Sequence, residues 1–122
     1  MPRASIVRQP PRQPPLNAPM SPQPSVELLV KNSRASAYYY CMATLVDVHG
    51  QVIDHGLAGE NMPGGVAGRS SEEKTPIIFQ FADLEVALVG HFAIRMDMYK
   101  MDHTGSSLMA QATTRNFEVR NY

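Results

Sequence analysis

The chain has 122 residues, enough for one domain around one hydrophobic core. Eleven basic residues balance eleven acidic ones, so composition gives no whole-chain signal for a polyanionic partner. The lone Cys41 excludes an intrachain disulfide and a cysteine zinc site and fits a reducing compartment; no run of about eighteen apolar residues or apolar N-terminal leader marks a membrane span or a signal peptide.

Residues 1–24 are a Pro-rich arm that holds eight of the ten prolines. Proline fixes φ and lacks an amide donor, so the arm is expected to be extended and to stay out of a central strand. It is also the only basic segment. Arg3, Arg8 and Arg12 face no acid there, which leaves the rest of the chain with eight basic against eleven acidic residues. The two Pro-Pro steps of residues 8–15 could dock on an aromatic groove as a polyproline ligand. A solvated tail or a lead-in to a strand edge is the plainer reading.

The folded domain is expected over residues 25–122. Val26, Leu28 and Val30 alternate with Glu27 and Leu29 as a first strand, and residues 31–36 make a polar turn. Residues 38–46 are the longest β-prone run and apolar on both faces, as for a covered central strand. Residues 47–50 turn on Gly50, and residues 51–54 return as a short hairpin partner. Residues 55–76, rich in glycine, are expected to be a long loop.

Ile77, Phe79 and Phe81 begin the next strand, and Leu84, Val86 and Leu88 alternate after Asp83. The clearest alternation follows. Phe92, Ile94, Met96 and Met98 share one face, and His91, Ala93, Arg95, Asp97 and Tyr99 share the other. After a turn at residues 102–106, Leu108, Ala110 and Ala112 alternate with Met109, Gln111 and Thr113, and residues 117–121 close the domain. About seven short strands with turn signals between them define an all-β chain, an immunoglobulin-like antiparallel β-sandwich, with a small barrel as runner-up. Phe79, Phe81, Phe92, Ile94, Phe117 and Val119 are expected to be buried together.

Few residues offer chemistry. His49, His55 and His103 fall in turns or loops, and His91 precedes a strand. Asp47, His49, Asp54 and His55 are near one another in sequence, but a metal site needs three or four converging ligands with support behind them. Cys41 lies in an apolar strand without a neighbouring base, which suits a buried inert thiol. The segment from Gly59 to Gly68 lacks a phosphate-loop ending. The chain is therefore read as a non-enzyme with no metal and no cofactor. Tyr38, Tyr39 and Tyr40 suit either packing or a partner interface, since interfaces favour aromatics and methionine over lysine and glutamate.

Four stretches resemble the velvet domain of fungal developmental regulators. Residues 22–30 are similar to a Pro-rich lead into a strand, and residues 38–47 to a tyrosine-rich strand ending near Asp-Gly. The pair formed by residues 78–84 and 90–99 is the most specific: Phe-x-Phe-x-Asp-Leu, then Gly-x-Phe-x-Ile-Arg. Residues 116–120 resemble a closing Phe-x-Val strand, and Arg8-Gln-Pro10 echoes the Gln-Pro of the family's first strand. The resemblance runs from about residue 22 to residue 120. It implies a sandwich related to the Rel-type fold, and a nuclear, partly cytoplasmic regulator of sporulation and secondary metabolism. It also implies homodimers or heterodimers with other velvet proteins, and binding to double-stranded DNA. The family's basic segment before the Pro-rich lead-in is reduced here to Arg12 within residues 10–19.

Phosphate contacts need lysine or arginine. Arg8, Arg12, Lys31 and Arg34 are the candidates for DNA, on the expectation that the arm and the 31–36 turn share one end of the sandwich. A velvet-like dimerisation module that works only through protein partners is the alternative, favoured by neutral charge and by Tyr38, Tyr39 and Tyr40 as its interface. An unrelated secreted immunoglobulin-like binding module is a third reading; it would carry disulfides or exposed tryptophan, and this chain has no tryptophan.

Overall fold

The computed structural model describes residues 3–121. Strand β1 (Arg3–Arg8) pairs antiparallel with β2 (Ser25–Lys31), which pairs with β6 (Lys74–Gln80), which pairs with the two-residue β5 (Val66–Ala67). The second sheet centres on β8 (Gly90–Asp102). Strand β3 (Tyr38–Asp47) runs along one side of it; β10 (Phe117–Val119) and then β9 (Gly105–Thr113) share the other side. Strands β4 (Leu57–Ala58) and β7 (Glu85–Val86) pair apart from both sheets. Among the described residues there is no α-helix, only a 3-10 turn at Asn32–Arg34, and no helix is long and apolar enough to cross a membrane.

Period-two alternation gives each sheet one apolar face, and the two faces meet. Val26, Leu28 and Val30 of β2 and Ile77 and Phe79 of β6 oppose Cys41 and Leu45 of β3 and Ile94, Met96 and Met98 of β8. All are at most 2% exposed. Burying each large side chain contributes roughly 1.5–3 kcal/mol. Phe81, Phe92, Phe117 and Val119 join the same cluster as Phe79 and Ile94, so the expected core set is present in full. The molecule is an all-β, immunoglobulin-like antiparallel sandwich.

The Pro-rich residues 9–24 connect β1 to β2 by a detour across the end of the sandwich. Arg12 accepts the amide of Glu118 through its carbonyl at 2.8 Å. Asn17 then donates to the carbonyl of Val86, and Met20 to that of Leu84. Pro10, Pro14, Met20 and Pro24 are buried. Prolines suit this path because no ladder asks for their missing amides. The detour also explains why residues 84–88 do not form the expected longer strand: two of their carbonyls are taken by the arm, and β7 is two residues long.

The long segment after β3 turns back on Asp47 and Gly50. The Gly50 amide donates to the Asp47 carbonyl at 3.0 Å, and Gly50 has φ of 81°, where a side chain would be strained. The segment then covers the free edge of β3. Ile53 donates to the Leu45 carbonyl, Ala43 to Asn61, Cys41 to Pro63, and Gly65 to Tyr39. Part of the expected loop over 55–76 is therefore an irregular edge of the second sheet, and β6 starts at Lys74 rather than at Ile77.

A β-bulge corrects the expected pattern in β9. Met98 faces Ala110, but Tyr99 faces Leu108, so Met109 is the extra residue. Met109 joins Ala110 and Ala112 against the core, and Leu108 turns outward, 51% exposed. Between β9 and β10, Thr114 closes the ladder. Its amide donates to the Ile94 carbonyl, and its hydroxyl oxygen accepts the Ile94 amide at 3.0 Å.

Candidate interaction face

The inward residues of β3 are Tyr39, Cys41, Ala43 and Leu45, so Tyr38, Tyr40, Met42 and Thr44 lie on the outer face of the second sheet. Across β8 the register sets Tyr38 beside Met101, Tyr40 beside Tyr99 and Met42 beside Asp97. The Tyr40 and Tyr99 rings stack with centroids 5.1 Å apart, and Tyr38 leans on Tyr40 at 6.3 Å. The Tyr40 hydroxyl donates to Ser106 Oγ at 2.9 Å, which ties the tyrosines to the β8–β9 hairpin. Met62, from the segment edging β3, completes a shallow hollow of about 220 Å³ lined by Tyr38, Tyr40, Met62 and Met101. Tyr38 is 57% exposed, and Met42, Met62, Met101 and Leu108 are also exposed.

The face is closed on one side by a buried carboxylate. Asp97 is 5% exposed; Arg95 Nε lies 3.3 Å from its oxygens, and Gln111 donates to it at 2.8 Å. The charge is matched within the sheet. Tyr39, placed with its neighbours in the sequence, points the other way. It is buried, its hydroxyl donates to the Arg34 carbonyl at 2.9 Å, and burial pushes its pKa up against the pull of Arg34. Strand alternation thus brings Tyr38 and Tyr40 to the face and sends Tyr39 to the core.

The four basic candidates do not gather. Arg8 pairs with Ser25 at the start of β2, and Lys31 pairs with Lys74 at its end. Six residues at about 3.3 Å each separate them by roughly 20 Å. The register corrects the expectation that the arm's candidates and the 31–36 turn share one end: Arg8 lies at the opposite end of β2, and only the arm's start, where Arg3 pairs with Leu29, comes near the turn. Lys31 lines a hollow with Glu72, Glu73 and Lys74, and Arg34 sits on the adjoining 3-10 turn. Arg12 lines a different hollow with Gln13, His91, Asn116, Phe117 and Glu118.

At that arm end the structure adds basic residues that sequence proximity does not reveal. Arg115 donates from its guanidinium to the Pro10 carbonyl at 3.2 Å and from its amide to Gln9 Oε1 at 3.0 Å. Arg120 bonds Glu118, which holds the Glu118 carboxyl below its ordinary pKa, and His91 Nε2 lies 3.5 Å from the other Glu118 oxygen. These groups come from positions up to 106 apart.

The titratable turns are occupied with their own backbones. Asp47 accepts the amides of His49 at 2.8 Å and Gln51 at 3.0 Å, and the Gln51 bond above all lowers its pKa. Asp102 accepts the hydroxyl and amide of Thr104, which lower its pKa in that order. Among the described residues, no three His, Cys, Asp or Glu side chains converge on a metal-sized site. Cys41 is fully buried, and burial first, with Asp97 second, pushes its thiol up to about 12. A thiol so protonated is a poor nucleophile.

No protein-family model and no curated protein matches the chain. Among solved structures it is similar to self-complemented MyfA, the major subunit of Myf fimbriae from Yersinia enterocolitica. The identity is 10%, the TM-score 0.40, and 99% of each chain is covered.

Proposed function

We propose that this chain is a velvet-type regulator of fungal development and secondary metabolism that acts by pairing with another velvet-type sandwich through its tyrosine–methionine face. The observation that carries the reading is that face: Tyr38, Tyr40, Tyr99, Met42, Met62, Met101 and Leu108 together on the outside of one sheet. Aromatic and methionine-rich, it has the composition of an interface core. Arg95 and Asp97 neutralise each other beside it, so a second copy meets no unmatched charge there. The stretches that resemble the velvet family fall on β2, β3, β6, β8 and β10, which build the core and present the face.

Sedimentation equilibrium of the purified chain tests the reading, with Tyr38→Glu and Met101→Glu as variants. A wild-type dimer and a folded monomeric double variant are the expected results. A wild-type monomer at every concentration, or a double variant that pairs as tightly as wild type, refutes self-pairing through this face.

Direct DNA contact is the second reading, favoured by the arm end, where Arg12 lies with Arg115, Arg120 and His91 around one hollow and its approach. Arg8→Ala with Arg12→Ala is expected to weaken DNA binding at low salt and to lower the salt slope by about two, since each phosphate contact contributes about 0.9. An unchanged slope removes the arm from the DNA reading.

A further inference from the structure

A sheet edge is a row of backbone donors and acceptors ready to pair with another strand, and folded proteins blunt or cover it. Among the described residues the edges of the two sheets are treated in this way, save one. The segment after β3 bonds along β3. The arm covers β10, where Glu118 donates to the Arg12 carbonyl and Pro15 bridges to Arg120. Strand β5 is two residues long, and β1 carries Arg3 and Arg8 at its ends. Strand β9 is the exception. It has nine residues, no charge and no proline, and among the described residues it pairs with β8 alone. Its bulge interrupts the edge at Met109 and leaves residues 110–113 in regular register.

The pairing says which residues face that edge. In an antiparallel ladder successive residues bond alternately to the two neighbouring strands. Cys41 and Ala43 bond to the segment that covers β3, so Met42 and Thr44 bond to Asp97 and Arg95 of β8. Met96 and Met98 are left for Ala112 and Ala110. Gln111 and Thr113 therefore turn to the open edge, and both are exposed. Beside them the core is thinly covered. Strand β1, the edge of the other sheet, lies near β9. Ala4 and Ile6 of β1 and Met109, Ala110 and Ala112 of β9 pack against the core yet stay only half-buried. The side of the sandwich between β1 and β9 is thus an apolar seam next to an open strand edge.

We infer that this edge receives an extended, uncharged segment of a partner protein with apolar residues at alternate positions. The segment pairs antiparallel with Gln111 and Thr113 and lengthens the second sheet by one strand. Strand alternation turns every other side chain of the segment inward, over Ala4, Ile6, Met109 and Ala112. The seam sets that apolar period. The absence of charge along β9 sets the rest, since a charge placed over the seam would lose its water and find no counter-charge. The site goes beyond the proposed pairing and does not depend on it. Strand β9 flanks β8 on one side, whereas Tyr38, Tyr40 and Met62 gather on the outer face toward β3, on the other.

The test is a titration of the full chain with a short capped peptide in which threonine and valine alternate, followed by amide NMR and hydrogen exchange. The control peptide carries N-methyl groups on its threonines, which keeps the valines for the seam and removes the donors that face β9. The first peptide should shift residues 109–113 saturably and slow exchange of the Gln111 and Thr113 amides; the methylated peptide should bind roughly tenfold or more weakly, the worth of at least one hydrogen bond. Thr113→Pro removes an edge amide without removing a ladder bond and should also weaken binding roughly tenfold. The Tyr38→Glu, Met101→Glu double variant should bind as wild type does, which separates this result from the fate of the tyrosine face. No binding, or equal binding of the two peptides, overturns the strand site. Protection of Gln111 and Thr113 that grows with protein concentration in the absence of peptide assigns the edge to a second copy and overturns the proposal as well.

Discussion

Thr114 is where the second sheet changes partner, and replacing it with valine isolates one hydrogen bond. The Thr114 hydroxyl oxygen accepts the Ile94 amide at 3.0 Å and donates to the Arg115 carbonyl at 2.9 Å. Ile94 is fully buried and Thr114 5% exposed, so water does not replace the lost acceptor. Valine keeps the shape and leaves the Ile94 amide unpaired, at about 1–3 kcal/mol. Thr114→Ser keeps the oxygen and loses one methyl, at about 1 kcal/mol or less. With a urea slope of about 1–3 kcal/mol per molar, the valine variant should unfold at a midpoint lower by roughly 1 M. Equilibrium urea unfolding followed by circular dichroism reads the difference. If valine is as stable as serine at this position, the hydroxyl is not the partner of Ile94.

Three further outcomes are expected. Met20→Ala should cost about 2–4 kcal/mol in the same assay, because Met20 is 2% exposed within the core although it belongs to the arm; a neutral result would mean that residues 9–24 do not pack as described. Cys41 has a raised thiol pKa, so its contribution is fully present below the ordinary thiol value and is lost as pH rises from there toward about 12. Cys41→Ala should therefore flatten the fall in stability above pH 9.0, whatever its effect at neutral pH. Asp102 has a lowered pKa, so its contribution is present above the ordinary carboxylate range and is lost as pH falls through it; an acid titration of Asp102→Asn should lack that component, and an unchanged profile would refute the turn's role.

Sequence reading succeeded where a side-chain period reports burial. The alternation of residues 92–98 placed Phe92, Ile94, Met96 and Met98 inside, and all four are at most 7% exposed. It failed where backbone groups decide. Strand β1 is an edge strand whose Ala4 and Ile6 alternate too weakly to stand out beside the prolines that follow. The edging of β3 by Asn61 and Pro63 uses carbonyl oxygens, which every residue carries. One bulge at Met109 reversed the side of Leu108 and so added it to the exposed face. The sequence named Tyr38, Tyr39 and Tyr40 together, although Tyr39 is buried, and put Tyr99 on the outer face; that Tyr99 meets Tyr40, and that Met62 and Met101 adjoin Tyr38, required the structure. Arg12 and Arg115 required contacts across nearly the whole chain.

Those contacts have a consequence for how the protein is made. Residues 9–12 find their partners in Arg115 and Glu118, 105 or 106 residues further along the chain. On the ribosome residues 9–12 emerge before the segment that anchors them and wait for it. Closing the core therefore waits on a long-range contact, which makes folding slow relative to a fold built from local contacts. A nascent chain halted before residue 114 would hold every strand of the first sheet yet lack the residues that fasten the arm across its end.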